Sequence, residues 1–228
     1  MAIELSPAAV ADRLSVIRDR IRAAGGALTD VTVVAVTKGH GPSAAAAALD
    51  AGLVDVGENY AAELVANAET LAETGRRAPR FHFLGHVQRN KVRSIAGLVG
   101  LWQGVDRLAA GREIARRHPG ASVLVQLDIS GEAAKHGCRP DEAERLVAEL
   151  VDLGLDVRGL MAVGPTGPPE DARPGFRQVV TLADTLDLPE RSIGMTGDLE
   201  VAVGEGATMI RVGRGLFGPR NGADDLRR

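Results

Sequence analysis

Cysteine is almost absent: Cys138 stands alone in 228 residues. A single thiol forms no internal disulfide and is a poor basis for a zinc site, so disulfide scaffolds and cysteine-rich metal folds are excluded and a reducing, cytoplasmic setting fits. No run of eighteen apolar residues occurs, and the amino end, Met1-Ala-Ile-Glu-Leu-Ser-Pro7, carries no basic stretch ahead of an apolar core. The chain therefore reads as unexported and without a membrane span. Neither sign of charge dominates, and a net charge of −3 does not fit a strongly basic protein that coats nucleic acid. Aromatics make up only 3% of the residues, with one tryptophan and one tyrosine. The one basic stretch, with Arg76, Arg77, Arg80, Arg89, Lys91 and Arg93, belongs to no recognition module that pairs cations with base-stacking rings, so it reads as a solvated face and nucleic acid is not expected as a partner.

What is present is an ordinary core-forming composition, 45% hydrophobic and 25% charged, in a length that suits one large domain or two small ones. Ser6-Pro7 followed by Val10, Leu14, Ile17 and Ile21 gives a capped amphipathic helix over about residues 7–24, ended by Gly25-Gly26. From there strands and helices alternate. Strands are expected over residues 31–36, 53–56, 81–84, 98–103, 122–128, 156–162, 191–194 and 207–212. Helices are expected over residues 43–51, 60–74, 88–96, 106–117, 140–153, 175–186 and 198–204. Eight strands separated by helices predict a closed (β/α)8 barrel of TIM type, with an open doubly wound sheet as the alternative. Only nine residues follow Phe217-Gly218-Pro219, too few for a full last helix, whereas a helix precedes the first strand and can cover that side of the barrel. With no linker or low-complexity segment, residues 1–228 read as a single domain.

The stretch Val31-Thr-Val-Val-Ala-Val-Thr-Lys38-Gly-His-Gly-Pro42 concentrates the chemistry. Its apolar, β-branched start is that of a buried parallel strand, and Lys38 falls where the run gives way to glycine and proline. Desolvation at such a strand end lowers an amine's pKa and frees it to form a Schiff base with an aldehyde; a solvated lysine capping the strand is the plainer alternative. Asn59, in Gly57-Glu-Asn-Tyr60 after the second strand, lies at the same barrel end, where its amide can bond a ring substituent or cap a helix. His82 and His86 are four apart, but side chains on a strand alternate by two and the loop begins before His86, so no metal site is expected. The last quarter offers Gly194-Met-Thr196-Gly-Asp198 and Arg211-Val-Gly213-Arg-Gly215, small residues directly after the seventh and eighth strands, which suit a phosphate dianion. A lysine after the first strand and a phosphate cup after the last two fit an aldehyde cofactor anchored by its phosphate, which is pyridoxal phosphate.

These segments together, from Val33 to Lys38, Gly57 to Glu63, Phe81 to Arg93, Val123 to Gly137, Arg158 to Ala162 and Ser192 to Gly218, resemble the pyridoxal phosphate homeostasis protein family, whose fold is similar to the barrel domain of alanine racemase. The resemblance implies pyridoxal 5'-phosphate held as a covalent aldimine on Lys38. It implies a phosphate contact from Thr196, phosphate-binding amides at Gly213 and Arg214, Arg211 facing the pyridine nitrogen, and Asn59 and Met161 lining the ring pocket. It further implies a monomeric carrier rather than an enzyme, with apo enzymes that use the same cofactor as partners. The alternatives are an amino-acid racemase and a barrel that binds another phosphorylated metabolite with Lys38 unmodified. Turnover is not expected, because racemisation by two bases needs a second acid or base, which in alanine racemase is a tyrosine from a further domain, and Tyr60 is this chain's single tyrosine. Gly39, Arg89, Asp128, His136 and Arg214 depart from the family pattern. At Arg214 the backbone contact survives, and a guanidinium can itself bind phosphate.

Overall fold

Ser6 accepts a hydrogen bond from the backbone N of Ala9 at 3.2 Å, Pro7 occupies the first turn, and helix α1 (Pro7–Ala23) follows. The helix buries Val10, Leu14, Ile17 and Ile21, as the spacing predicts. Each such side chain contributes about 1.5–3 kcal/mol when fully removed from water. The computed structural model describes residues 5–132 and 135–219. Its strands are β1 (Thr32–Val36), β2 (Asp55–Glu58), β3 (Arg80–Phe83), β4 (Val99–Val105), β5 (Ser122–Leu127), β6 (Asp156–Ala162), β7 (Glu190–Met195) and β8 (Met209–Val212). All pair in parallel and in sequence order, and β8 returns to β1, so the sheet is the expected closed barrel and not an open one.

The outer ring is made of α1, α2 (Pro42–Asp50), α3 (Ala61–Glu73), α4 (Arg89–Ile95), α5 (Leu108–Arg117), α6 (Ala143–Asp152), α7 (Arg173–Thr185), α8 (Leu199–Glu205) and α9 (Arg214–Phe217). The last of these is a single turn that the sequence reading omits. It is too short to cover the seam where β8 meets β1, and α1 packs against α2, α8 and α9 to do so. Two ion-paired or capped crossings fasten it there. Arg13 Nη1 donates to the Leu216 carbonyl at 2.9 Å, and Arg20 pairs with Glu200 at 2.5 Å.

Boundaries shift where the apolar pattern misleads. The second strand begins at Asp55 rather than Leu53 and continues through Gly57 and Glu58, because Leu53 is packed into the outer core while Glu58 pairs with Phe83 of β3. The expected helix at Pro140 opens as a tight 3-10 turn over Pro140–Glu142, and a similar turn over Pro169–Ala172 precedes α7.

Alternation along the strands divides the interior in two. Val33, Ala35, Val56, Phe81, Phe83, Trp102, Val123, Val125, Leu160, Ile193 and Ile210 belong to the large core between sheet and helices. Val34, Leu101, Leu124, Met161 and Met209 form a small apolar layer inside the barrel. Polar side chains share the interior with that layer: His82, Gln103, Gln126, Ser192 and Arg211 are all buried.

Candidate functional site

Lys38 stands half-buried in the turn that follows β1, where the His40 amide donates to the Thr37 carbonyl at 3.0 Å. Two carboxyl groups fix that turn. Glu63, in the first turn of α3, accepts from the Gly39 amide at 2.9 Å. Glu58, at the end of β2, is fully buried between barrel and helix; its Oε1 accepts from the Thr37 hydroxyl and from Asn67 Nδ2 at 2.6 Å. Burial pushes the Glu58 carboxyl up to about 8; the Thr37 bond opposes this, and the neighbouring Glu63 carboxylate adds to it. With its value near 8 the group is mostly protonated at neutral pH, and both donors fall on Oε1.

On the neighbouring strand β8, beside Val34 of β1, Arg211 is 4% exposed. Its Nη1 donates to the Ser192 carbonyl at 2.6 Å and to Ser192 Oγ at 2.7 Å, and Nη2 donates to the Ala162 carbonyl at 2.8 Å. Those acceptors are neutral, and burial lowers the guanidinium to about 10, with Asp198 acting in the opposite sense. Ser192 Oγ donates to Gln103 Oε1 at 2.7 Å, Gln103 Nε2 donates to His82 Nδ1 at 2.7 Å, and His82 Nε2 then donates to Asp55 Oδ1 at 2.9 Å. Every link points the same way, which places the His82 proton on Nε2. Burial holds the His82 pKa below its ordinary value, so the ring is neutral. Burial also works against the Asp55 carboxylate, but the bonds from His82 and Arg80 outweigh it and hold Asp55 below its ordinary range.

The loops after β7 and β8 meet. Thr196 Oγ1 accepts from the Gly215 amide at 3.1 Å, and the Thr196 carbonyl is held by Arg20 Nη2 at 2.9 Å. Gly213 lies against the end of β1, where a Cβ would sit 3.2 Å from the Val36 carbonyl. The cup therefore borders the Lys38 turn. Arg214 is exposed and begins α9, whose first amides have no intrahelical acceptor. Met161 is buried in the inner layer beside Ala162, the residue that Arg211 grips. Asn59 is half-buried on the neighbouring arc, with its carbonyl only 2.1 Å from where a Cβ on Gly85 would be. It does not cap a helix, since Tyr60 is the N-cap of α3 and no side chain bonds there.

Thus Lys38, Thr196 and Gly213 directly follow β1, β7 and β8, Met161 and Arg211 lie in β6 and β8, and Asn59 directly follows β2. His82 and His86 have separate partners, Asp55 and Asp106, and are not a pair. The sequence reading missed Thr37, Glu58, Glu63 and the polar row from Ser192 to Asp55. Glu58 ending a strand whose apolar neighbours are buried was the available signal.

The model of the alanine racemase N-terminal domain matches residues 6–221. A pyridoxal phosphate homeostasis protein of Pseudomonas aeruginosa is 37% identical over 213 residues, covering 90% of this chain and 91% of its own. The structure of PipY from Synechococcus elongatus with PLP bound superposes with a TM-score of 0.80 at 29% identity, covering 92% of this chain and all of that one. An alanine racemase of Clostridium difficile shares the fold with a TM-score of 0.70 at 17% identity, and the match covers 95% of this chain and 59% of the racemase. The chain belongs to the alanine racemase N-terminal domain family, and within it to the pyridoxal phosphate homeostasis proteins.

Glu58 generates a prediction about stability. Between the ordinary glutamic value of 4.5 and about 8, the folded state holds a proton that the unfolded chain has released, so stability falls as pH rises through that window. Glu58→Gln presents the same carbonyl to Thr37 and Asn67 and has no proton to lose. Thermal melts at pH 6 and pH 9 should show wild-type Tm dropping between the two and the variant losing much less. Parallel losses in both proteins would mean that Glu58 is ionised in the fold.

Proposed function

We propose that this protein binds pyridoxal 5'-phosphate through a Schiff base on Lys38 and serves cofactor homeostasis as a carrier. The observation that carries the reading is Arg211, a buried guanidinium bonded to neutral acceptors at the barrel mouth. Such a group fits a neutral aromatic nitrogen, to which it donates and from which it takes no proton. The rest of the mouth fits the same ligand. Thr196 spends one lone pair on the Gly215 amide and keeps its O–H to donate to a phosphate, while the amides of Gly213, the N-cap of α9, and of Arg214, its first residue, have no intrahelical acceptor. In this reading Asn59 and Met161 line the ring.

When bound, the cofactor supplies a reactive aldehyde and an electron-accepting ring. Lys38 does the holding: its amine adds to the aldehyde carbon and water leaves. Opposite Arg211 the ring nitrogen stays unprotonated, which weakens the ring as an electron sink. Tyr60, the single tyrosine, is 54% exposed at the start of α3, a poor position for a second catalytic acid or base. These features support carriage over turnover, with apo enzymes that use the same cofactor as the recipients.

Borohydride treatment of cofactor-loaded protein followed by peptide mapping should find the pyridoxyl group on Lys38, and Lys38→Ala should lose the visible absorbance while remaining folded. A label on Lys91 or Lys135 instead would sink the assignment. Thr196→Ala should retain the absorbance at excess cofactor but release it more readily, since one hydrogen bond to a charged group contributes about 1.5–3 kcal/mol, roughly tenfold or more in Kd. An unchanged dissociation constant would place the phosphate elsewhere. With amino acids in deuterated water, α-deuterium should not accumulate at a catalytic rate; fast, stereochemically scrambling incorporation lost in Tyr60→Phe would make the protein a racemase.

A further inference from the structure

The barrel mouth has a second arc that the cofactor reading leaves unused. His86 follows β3, Asp106 follows β4, and His136 lies in the loop after β5. These three are the one group among the described residues whose potential ligand atoms, one from each side chain, all lie within 4.8 Å of one another. We propose that His86, Asp106 and His136 form a binding site for a late first-row divalent metal ion, of which Zn2+ is the representative.

The geometry is close to that of a loaded site. His86 Nδ1 and Asp106 Oδ2 are 3.2 Å apart. Two ligands each ~2.1 Å from one ion stand ~3.0–3.4 Å apart across octahedral to tetrahedral angles. The His86 and His136 ring centroids are 4.4 Å apart with an interplanar angle of 31°. Two imidazoles bound to one ion at about a right angle have centroids ~4.5 Å apart, so little movement is required of either ring.

Outer contacts hold these groups in place, as metal ligands require. Arg107 Nη1 donates to Asp106 Oδ1 at 2.5 Å and its Nη2 to the Val87 carbonyl at 2.6 Å, which occupies one carboxylate oxygen and leaves Oδ2 beside His86. From inside the barrel, Gln126 Nε2 donates to the carbonyls of Lys135 at 2.7 Å and His136 at 3.3 Å. His136 itself adopts φ of 52°, in the left-handed region that few non-glycine residues occupy. The loop is thus gripped on both sides of the exposed ring.

Donor type selects the ion. Two imidazole nitrogens and one carboxylate suit Zn2+, Co2+, Ni2+ or Cu2+, whereas Ca2+ and Mg2+ take oxygen ligands. Neutral His86 ligates through Nδ1 as the tautomer that carries its single ring proton on Nε2, and the outer coordination positions fall to water. Three ligands on an exposed lip, with the Arg107 guanidinium 3.4 Å from His86 Nδ1, make an open, exchangeable site rather than a closed structural one.

Titrating the cofactor-free protein with CoCl2 and ZnCl2, read by visible absorbance for Co2+ and by calorimetry for Zn2+, tests the proposal without reference to pyridoxal phosphate. One equivalent should bind, and His86→Ala and His136→Ala should each weaken binding at least tenfold. His118→Ala, at the carboxyl end of α5 and opposite to the end that Asp106 precedes, should bind as the unaltered protein does. His136 is exposed, so its loss leaves the fold intact, and circular dichroism checks this. No saturable binding, an affinity unchanged in His136→Ala, or an equal loss in His118→Ala would each overturn the site.

Discussion

A guanidinium enclosed in a barrel without a carboxylate against it is the constraint around which this interior is organised. Leaving a buried charge unsolvated is far more costly than any single hydrogen bond can offset. The barrel answers with a chain of donors, from Arg211 through Ser192, Gln103 and His82 to Asp55, so that a cation at one end is connected to a carboxylate near the other by groups that are each satisfied. Orientation follows from direction. Gln103 has to present its oxygen to Ser192 and its amide to His82, and that fixes the histidine tautomer. Apolar side chains fill the remaining inward positions, and the inner layer is small because the polar row takes much of its space.

Much of this fold is legible in the sequence because its evidence is local. Val31 to Val36 reads as a buried strand from its own residues, α1 from its cap and stripe, and the loops after β7 and β8 from their glycines. Lys38 and the glycine-rich loops after β7 and β8 are legible as neighbours because chain order in a (β/α)8 barrel puts strands one, seven and eight side by side. The polar row is not legible. His82, Gln103 and Ser192 each sit singly among apolar neighbours on different strands, and only ring closure at the correct stagger brings them into one line. Glu58 hides for a related reason, since its partner Asn67 belongs to the following helix and each looks like an ordinary surface residue from its own neighbourhood. The turn at α9 escaped notice because four residues hold no period.

The mouth is divided by chemistry as well as by position. On one arc, β1 and β6 to β8 contribute an amine, a guanidinium, a hydroxyl and glycine amides, a set suited to an anionic aldehyde. On the other, the loops after β3 to β5 contribute imidazoles, a carboxylate and the amide of Gln126. The two arcs share the inner row, for Gln103 of β4 is the link between Ser192 of β7 and His82 of β3. A barrel that supports different side-chain sets on a common rigid wall can change one of them without rebuilding the other.

The seam between β8 and β1, closed by α1 and braced by Arg13 and Arg20, bears on how the molecule is made. These contacts join residues separated by 203 and 176 positions, so they form only when nearly the whole described chain is available. During synthesis Lys38 leaves the ribosome long before Thr196, Arg211 and Gly213 exist to stand beside it. A nascent chain therefore carries Lys38 without the residues that border it in the fold, and the barrel mouth is completed late, when the last strand docks against the first.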